Sequence, residues 1–274
     1  MIELAKKIQM PREVIPIIEK TESQMDNSLY TEAVLQLFSR KTWDSGLKTL
    51  KRLLGDDPDG MKLLTVMLRA ALLSREKYKE AGINEEIFVS TMKCFSRFVN
   101  ESMERGGRYY FNRDFWTPRQ LSLQLFRIGE LEYELVDEEG EKYVSIHIPS
   151  DANLDLAALC QSYEKACDFL KRYFPAFAGV GMCCESWLLS PALKGLLPAD
   201  SRIIRFQENF VIEKVIPDSD DYAEWVYGIE EKNADIEVSI LPERTSLQRT
   251  MKQFLLKGGK VGVAIGRLKE EPFR

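Results

Sequence analysis

Histidine is almost missing from this chain: His147 is the only one among 274 residues. A metal centre built from several imidazoles is therefore excluded, and chemistry that needs an imidazole must use this one. Cysteine is also scarce. Cys94, Cys160, Cys167, Cys183 and Cys184 form no CxxC pair, which argues against a zinc motif and against a disulfide-stapled secreted fold. No stretch approaches the ~18 consecutive apolar residues of a membrane span. Met1 to Met10 carries lysines but no continuous apolar run after them, unlike a secretory leader. The expectation is a protein of the reducing cytoplasm without a membrane anchor. GxxxxGKS or GxxxxGKT is absent, and so is the GxSxG elbow.

What is present is the balance of an ordinary globular protein, 45% apolar and 30% charged. The charge is uneven. Residues 1–115 hold 19 basic and 17 acidic side chains; residues 116–274 hold 19 basic and 26 acidic. The second part, at net −7, is a poor partner for nucleic acid, whose phosphates need a basic surface. It suits a small cationic substrate such as an amine.

The same division appears in the hydrophobic pattern. Up to residue 115 the apolar residues recur at threes and fours, which predicts an all-helical domain over 1–115. Pro11 opens a short helical stretch that Pro16 is expected to interrupt. Asp57 or Asp59 and then Asn84 stand where helix caps belong, Glu85 and Glu86 follow Asn84, and Gly55 and Gly106-Gly107 stand at helix ends. After Trp116 strands and helices alternate, so 116–274 reads as an α/β domain. Strands are expected within Leu121 to Val136, and at Lys142 to Ile148, Ala178 to Trp187, Val211 to Ile216, Ile236 to Leu241 and Val261 to Ile265. Helices are expected over Leu154 to Phe174, from Ser190-Pro191, over Ser201 to Phe210, and after the capping box Thr245 to Gln248. The last strand alternates with Gly262, Ala264 and Gly266, so something must lie close against that bare face.

The hairpin around Asp137-Glu138-Glu139-Gly140 carries the most specific expectation. An even turn centred on Glu138-Glu139 places Glu134 opposite Tyr143, Glu132 opposite Ser145 and Glu130 opposite His147. These six then share one face, while Leu131, Tyr133, Leu135, Val144, Ile146 and Ile148 form the core face. Glu130 beside His147 would make a general base near neutral pH. Glu-Tyr-Ser-His on one hairpin face is also ordinary solvated surface. A cysteine nucleophile at Cys183 or Cys184, paired with His147, is a further candidate.

Phe126 to Leu135, Ser145 to Pro149, Ser186 to Pro191 and Thr245 to Arg249 resemble a bacterial family of acyltransferase domain-containing proteins. Its members join a helical N-acyltransferase N-terminal domain to a GNAT-like C-terminal domain. The resemblance implies an α+β two-domain fold with a strongly twisted mixed sheet. It also implies acetyl-CoA or another acyl-CoA as co-substrate, seated where two central parallel strands, Tyr143 to Ile148 and Gly181 to Trp187, splay apart. The amides of Ser150, Asp151, Ala152, Asn153 and Leu154 would hold its pyrophosphate at a helix start. Glu130 and His147 would be the catalytic pair, with Glu132, Tyr143, Ser145, Ser186 and Trp187 contacting substrate and no metal. The chain departs from the superfamily at one point: it has no glycine between His147 and Phe177, where a glycine-rich loop is usual, and Asp151 and Asp155 add negative charge there. A second expectation follows from that departure, a non-catalytic ligand-binding module whose cleft is lined by Tyr109, Tyr110, Trp116 and Trp187. A third, an interaction protein docking through its helices, rests on amphipathic faces alone.

Overall fold

A computed structural model describes residues 1–138, 140–229 and 236–269. The turn residue Glu139 lies outside them. The chain begins with six helices, α1 (Ile2–Lys7), α2 (Ile15–Gln24), α3 (Thr31–Gln36), α4 (Trp43–Leu54), α5 (Met61–Glu80) and α6 (Glu85–Gly106). Their ends follow local chemistry. The Asp57 carboxylate accepts the amides of Lys62 and Leu63 at the start of α5, and Asn84 Oδ1 accepts Ile87 N–H at 2.9 Å at the start of α6. Gly55 and Gly107 take positive φ just past α4 and α6. Pro16 does not interrupt a helix. It stands in the first turn of α2, where its missing N–H costs nothing.

The short helix α7 (Pro118–Leu121) leads into β1 (Leu125–Ile128), β2 (Leu131–Glu138) and β3 (Glu141–His147). The single strand region expected over Leu121 to Val136 is thus two strands, divided at Gly129, whose φ of +63° makes a turn. There follow α8 (Leu156–Tyr173), β4 (Met182–Ser186), α9 (Arg202–Gln207), β5 (Phe210–Ile216), α10 (Ser246–Leu256) and β6 (Val263–Leu268). The capping box of Thr245 and Gln248 is formed at the start of α10. The strand expected over Ile236 to Leu241 is instead a short 3-10 turn, Val238–Ile240. Leu241 is buried, and its carbonyl accepts from Lys252 Nζ at 2.9 Å, so this segment is tied to α10 rather than to a sheet edge.

The six strands form one mixed sheet in the order β1-β2-β3-β4-β6-β5. Every pairing is antiparallel except β3 with β4. Helix α8 covers one face. Ser162 Oγ on α8 meets the Tyr133 hydroxyl at 3.0 Å and accepts Leu131 N–H. The helical half shares this core: Phe126 on β1 stacks edge-on against Tyr78 of α5 and also packs on Phe169 of α8. A smaller apolar cluster gathers Trp187, Leu193, Ile204, Tyr222, Met251 and Val261 around the far end of the sheet.

The small-residue face of β6 is approached as expected. A Cβ on Gly266 would stand 3.0 Å from Phe210 Cβ and 3.1 Å from Leu189 Cδ1. Gly262 is tighter still, with φ +63° and a would-be Cβ 2.4 Å from the carbonyl oxygen of Ile216. Gly262→Ala should therefore destabilise the fold by about 1–3 kcal/mol, because a strained backbone and a clash with main chain coincide. Urea unfolding measures it, and an unchanged midpoint would contradict this account.

Candidate functional site

β3 and β4 are parallel neighbours, yet they pair only at Val144 with Met182 and Ser145 with Cys183. Beyond those pairs β3 runs on to His147 and β4 to Ser186 without a shared ladder. β4 is held instead by β6 along Cys183 to Ser186, so the two central strands separate like a V. Their inner backbone groups lack strand partners there, which is where an extended polar ligand gains hydrogen bonds. A cavity of about 440 Å³ opens in the V. β3 and the following loop line it with His147 to Ser150, Ala152 and Leu154, β4 and the next turn with Cys184 to Leu188, and α6 with Arg97, Phe98 and Glu101. Phe115 and Trp225, both exposed, line it as well.

The polar face of the hairpin is formed, but its register differs from the expected one by two residues. Glu138 pairs with Glu141, Glu134 with Ser145 and Glu132 with His147. Gly140 decides this. Its φ of +89° places it inside the tight turn, where glycine is favoured, rather than in a strand opposite Asp137. The expected Glu130–His147 pair is therefore not formed. Glu130 lies outside β2 and accepts the amide of Asn153 at 2.8 Å. His147 Nε2 meets Glu134 Oε2 at 2.9 Å instead. Nor is this face solvated: Glu132 is 2% and Glu134 5% exposed.

Glu134 is set up as a fixed anion. Its Oε1 receives Arg40 Nη1 at 3.0 Å and Arg119 Nε at 3.2 Å. Burial alone would raise its carboxyl, but the hydrogen bond and charge of His147 with the two guanidinium groups outweigh this and hold it below the usual carboxylate range. Linkage gives a sign. A carboxyl with a lowered folded-state value adds stability that is fully present above its unfolded value, about 4.3, and is lost as pH falls through the folded value. Glu134→Gln should therefore flatten the acid limb of stability below about pH 5. Urea midpoints at pH 3.5, 5 and 7 test this, and an acid limb identical to wild type would contradict it.

With Nε2 engaged, His147 keeps Nδ1 without a hydrogen-bond partner among the described residues, and the ring lines the cavity. Trp116 stands perpendicular to it, ring centres 4.9 Å apart. The geometry is that of a base whose tautomer is fixed by a carboxylate. Cys183 and Cys184 are poor nucleophiles, because burial pushes both thiols up and away from the thiolate.

Above this face α6 delivers a buried ion cluster. Arg97 Nη2 meets Glu132 Oε1 at 2.8 Å, and Arg97 Nε lies 3.6 Å from Glu101. Glu101 in turn accepts the Ser150 hydroxyl. Burial opposes the Arg97 charge, but Glu132, Asp151 and Glu101 keep it firmly protonated. Arg127 Nη1 reaches Asp151 at 2.8 Å. The loop after β3 is thus held by side chains where glycines would otherwise permit a tight backbone. Ala152 N–H is used by Pro149 O, and Asn153 N–H by Glu130. At the start of α8 the N-cap Asp155 makes no side-chain cap, so the first helical amides are offered outward.

The structure brings His147, Ser150, Ala152, Leu154, Ser186, Trp187 and Glu132 to one cavity. Ser186 Oγ accepts Leu188 N–H, which leaves its hydroxyl proton free to donate. Glu130, Asp151, Asn153, Tyr143 and Ser145 do not line the cavity. Of the aromatic cleft, Trp116 and Trp187 do, whereas Tyr109 and Tyr110 do not. Arg40, Arg97 and Arg119 were missed by sequence reasoning. Arg97 stands on α6, Arg119 on the short α7 and Arg40 in the turn between α3 and α4, and nothing local says which carboxylate they meet. No helix among the described residues is long and apolar enough to cross a membrane.

Residues 125–268 match the family of the GNAT-like C-terminal domain, and residues 1–123 match the N-acyltransferase N-terminal domain. No curated protein matches the chain. Among solved structures of similar fold is an acyltransferase in complex with decanoyl-CoA and teicoplanin, at 21% identity and TM-score 0.81, covering 98% of this chain and 87% of that one. Another is an acyltransferase in complex with CoA and 10C-teicoplanin, with the same values. A mutant acyltransferase in complex with octanoyl-CoA has 20% identity and TM-score 0.80, covering 97% and 86%. At such identity the likeness is one of fold.

Proposed function

Since this chain belongs to the family of the GNAT-like C-terminal domain, here preceded by an N-acyltransferase N-terminal domain, we propose that it is an acyl-CoA-dependent N-acyltransferase. The observation that carries the reading is the V between β3 and β4 with the His147–Glu134 pair set in it. The thioester arm of an acyl-CoA lies along the unpaired strand edges, and its pyrophosphate meets the open amides at the start of α8. His147 Nδ1 takes the proton of the attacking amine as nitrogen bonds to the thioester carbonyl carbon. The C–S bond then breaks, the acyl group stays on nitrogen, and CoA leaves as a thiolate that takes up one proton. The Ser186 hydroxyl is placed to donate to the oxyanion or to the departing sulfur.

Two finer points rest on the lining. Phe98, Trp116, Ile148, Leu154, Trp187 and Leu188 make an apolar wall, and about 440 Å³ exceeds what an acetyl group fills. Solved acyltransferases of this fold hold octanoyl- and decanoyl-CoA, so a medium-length acyl donor is the expectation. Glu185, exposed on β4, adds a carboxylate to the lining, which favours a cationic amine acceptor. The test is a thermal-shift series with CoA, acetyl-CoA, octanoyl-CoA and decanoyl-CoA, followed by free-thiol release with a panel of amines. Binding at 100 times Kd adds about 2.7 kcal/mol of stability, so a clear Tm rise is expected. No rise with any CoA ester would overturn the proposal, and a rise without thiol release from any amine would turn it toward a binding module.

A further inference from the structure

Four side chains close a ring around the base. His147 Nε2 meets Glu134 Oε2, Glu134 Oε1 meets Arg119 Nε, the Arg119 guanidinium lies 4.4 Å over Trp116, and Trp116 stands edge-on to His147. Arg40 joins the ring from outside. Its Nη1 reaches the same Glu134 oxygen at 3.0 Å and Gln124 Oε1 at 3.3 Å, and its Nη2 meets Glu138. Arg40 and Arg119 both lie over the Trp43 ring, at 5.4 and 5.3 Å. Trp43, Arg40, Trp116 and Arg119 all belong to residues 1–123, the N-terminal family unit, whereas Glu134 and His147 belong to 125–268.

We infer that Arg40 and Arg119 are positioning residues for acyl transfer: the N-terminal unit completes the catalytic pair of the C-terminal unit by clamping Glu134. This rests on the acyl-transfer reading above. The physical reason lies in the carboxylate. A lone buried carboxylate can rotate, or take up a proton and donate it, and either change frees the imidazole to adopt the other tautomer. Two guanidinium donors on Oε1 keep Glu134 ionised and fix its plane. Oε2 is then only an acceptor, so the His147 proton stays on Nε2 and the Nδ1 lone pair stays toward the cavity. Trp43 restrains both guanidinium groups by stacking, and Trp116 restrains the imidazole itself. The helical unit is therefore part of the active site.

The single histidine makes the test unambiguous. In the full-length protein labelled with ¹⁵N-histidine, the one imidazole, in its neutral form, should show protonated Nε2 and unprotonated Nδ1. Arg40→Met and Arg119→Met should mix the tautomers and lower kcat by about 100-fold, as misplacement of a reacting group does. KM for acyl-CoA should stay near wild type. Arg40→Lys keeps the charge but loses the fork, and it should recover part of kcat and most of the tautomer preference. A proton on Nδ1 in the wild type would overturn the inference without any variant being made. So would wild-type kcat and wild-type tautomer in both folded methionine variants. If the methionine variants fail to fold, the wild-type spectrum and the lysine variant still decide. An intact tautomer pattern in a protein that binds no acyl-CoA would instead refute the acyl-transfer reading and leave the clamp standing.

Discussion

His147→Gln should lower kcat/KM for the proposed acyl transfer by about 10²- to 10⁴-fold, the usual worth of a positioned general base, and leave acyl-CoA binding intact. The glutamine amide can still donate toward Glu134, so the ring of contacts around it is largely preserved. What is lost is the Nδ1 lone pair, and with it the only imidazole of the chain. Transfer to an amine should suffer most below the amine's own pKa, where nearly all acceptor is protonated, and recover partly at high pH. Steady-state thiol release measured across pH, with acyl-CoA affinity determined separately, reads both parts. Full activity in the variant would remove His147 from the mechanism. A parallel loss of acyl-CoA binding would make it a binding residue instead.

The second large effect is on stability. Arg97→Met removes the cation on which Glu132 and Glu101 converge, in a site where its side chain is 9% exposed. Two carboxylates then remain buried with less compensation. Breaking a buried pair from one side costs about 3–5 kcal/mol, which for a chain of this size lowers Tm by roughly 10 °C. Replacing the partner as well should help: Arg97→Met with Glu132→Leu removes a charge and its counter-charge together and should regain much of the loss. Calorimetry of the two variants separates these outcomes. A single variant as stable as wild type, or a double variant no better than the single, would show that the cluster is not the tie between α6 and the sheet.

Much of the fold could be read from local pattern. The capping groups at Asp57, Asn84 and Thr245 act on amides within six residues, so their roles can be inferred from neighbours in sequence. The parallel contact of β3 with β4 came from the resemblance, and its early end is visible in the pairing itself. The strand expected at Ile236 to Leu241 failed because a short apolar run has no way to show whether its backbone will meet a sheet or a helix. The effect of Pro16 depends on whether it falls in the first turn of a helix or later, and its neighbours in sequence do not show which.

The chain by itself determined which hairpin residues share a face, because side chains alternate along any strand whatever lies beside it. It could not determine which glutamate His147 meets. A register shift of two residues keeps every side chain on its own face, so alternation cannot detect it. The turn at Gly140 accounts for the register, which sets Glu132 opposite His147, but the imidazole reaches diagonally to Glu134 instead. Only the tertiary structure decided that this face is buried rather than wet, and that Arg40, 94 residues from Glu134, holds its carboxylate. A buried charge takes its partner from wherever the chain returns, and that return is fixed by the packing of the whole core.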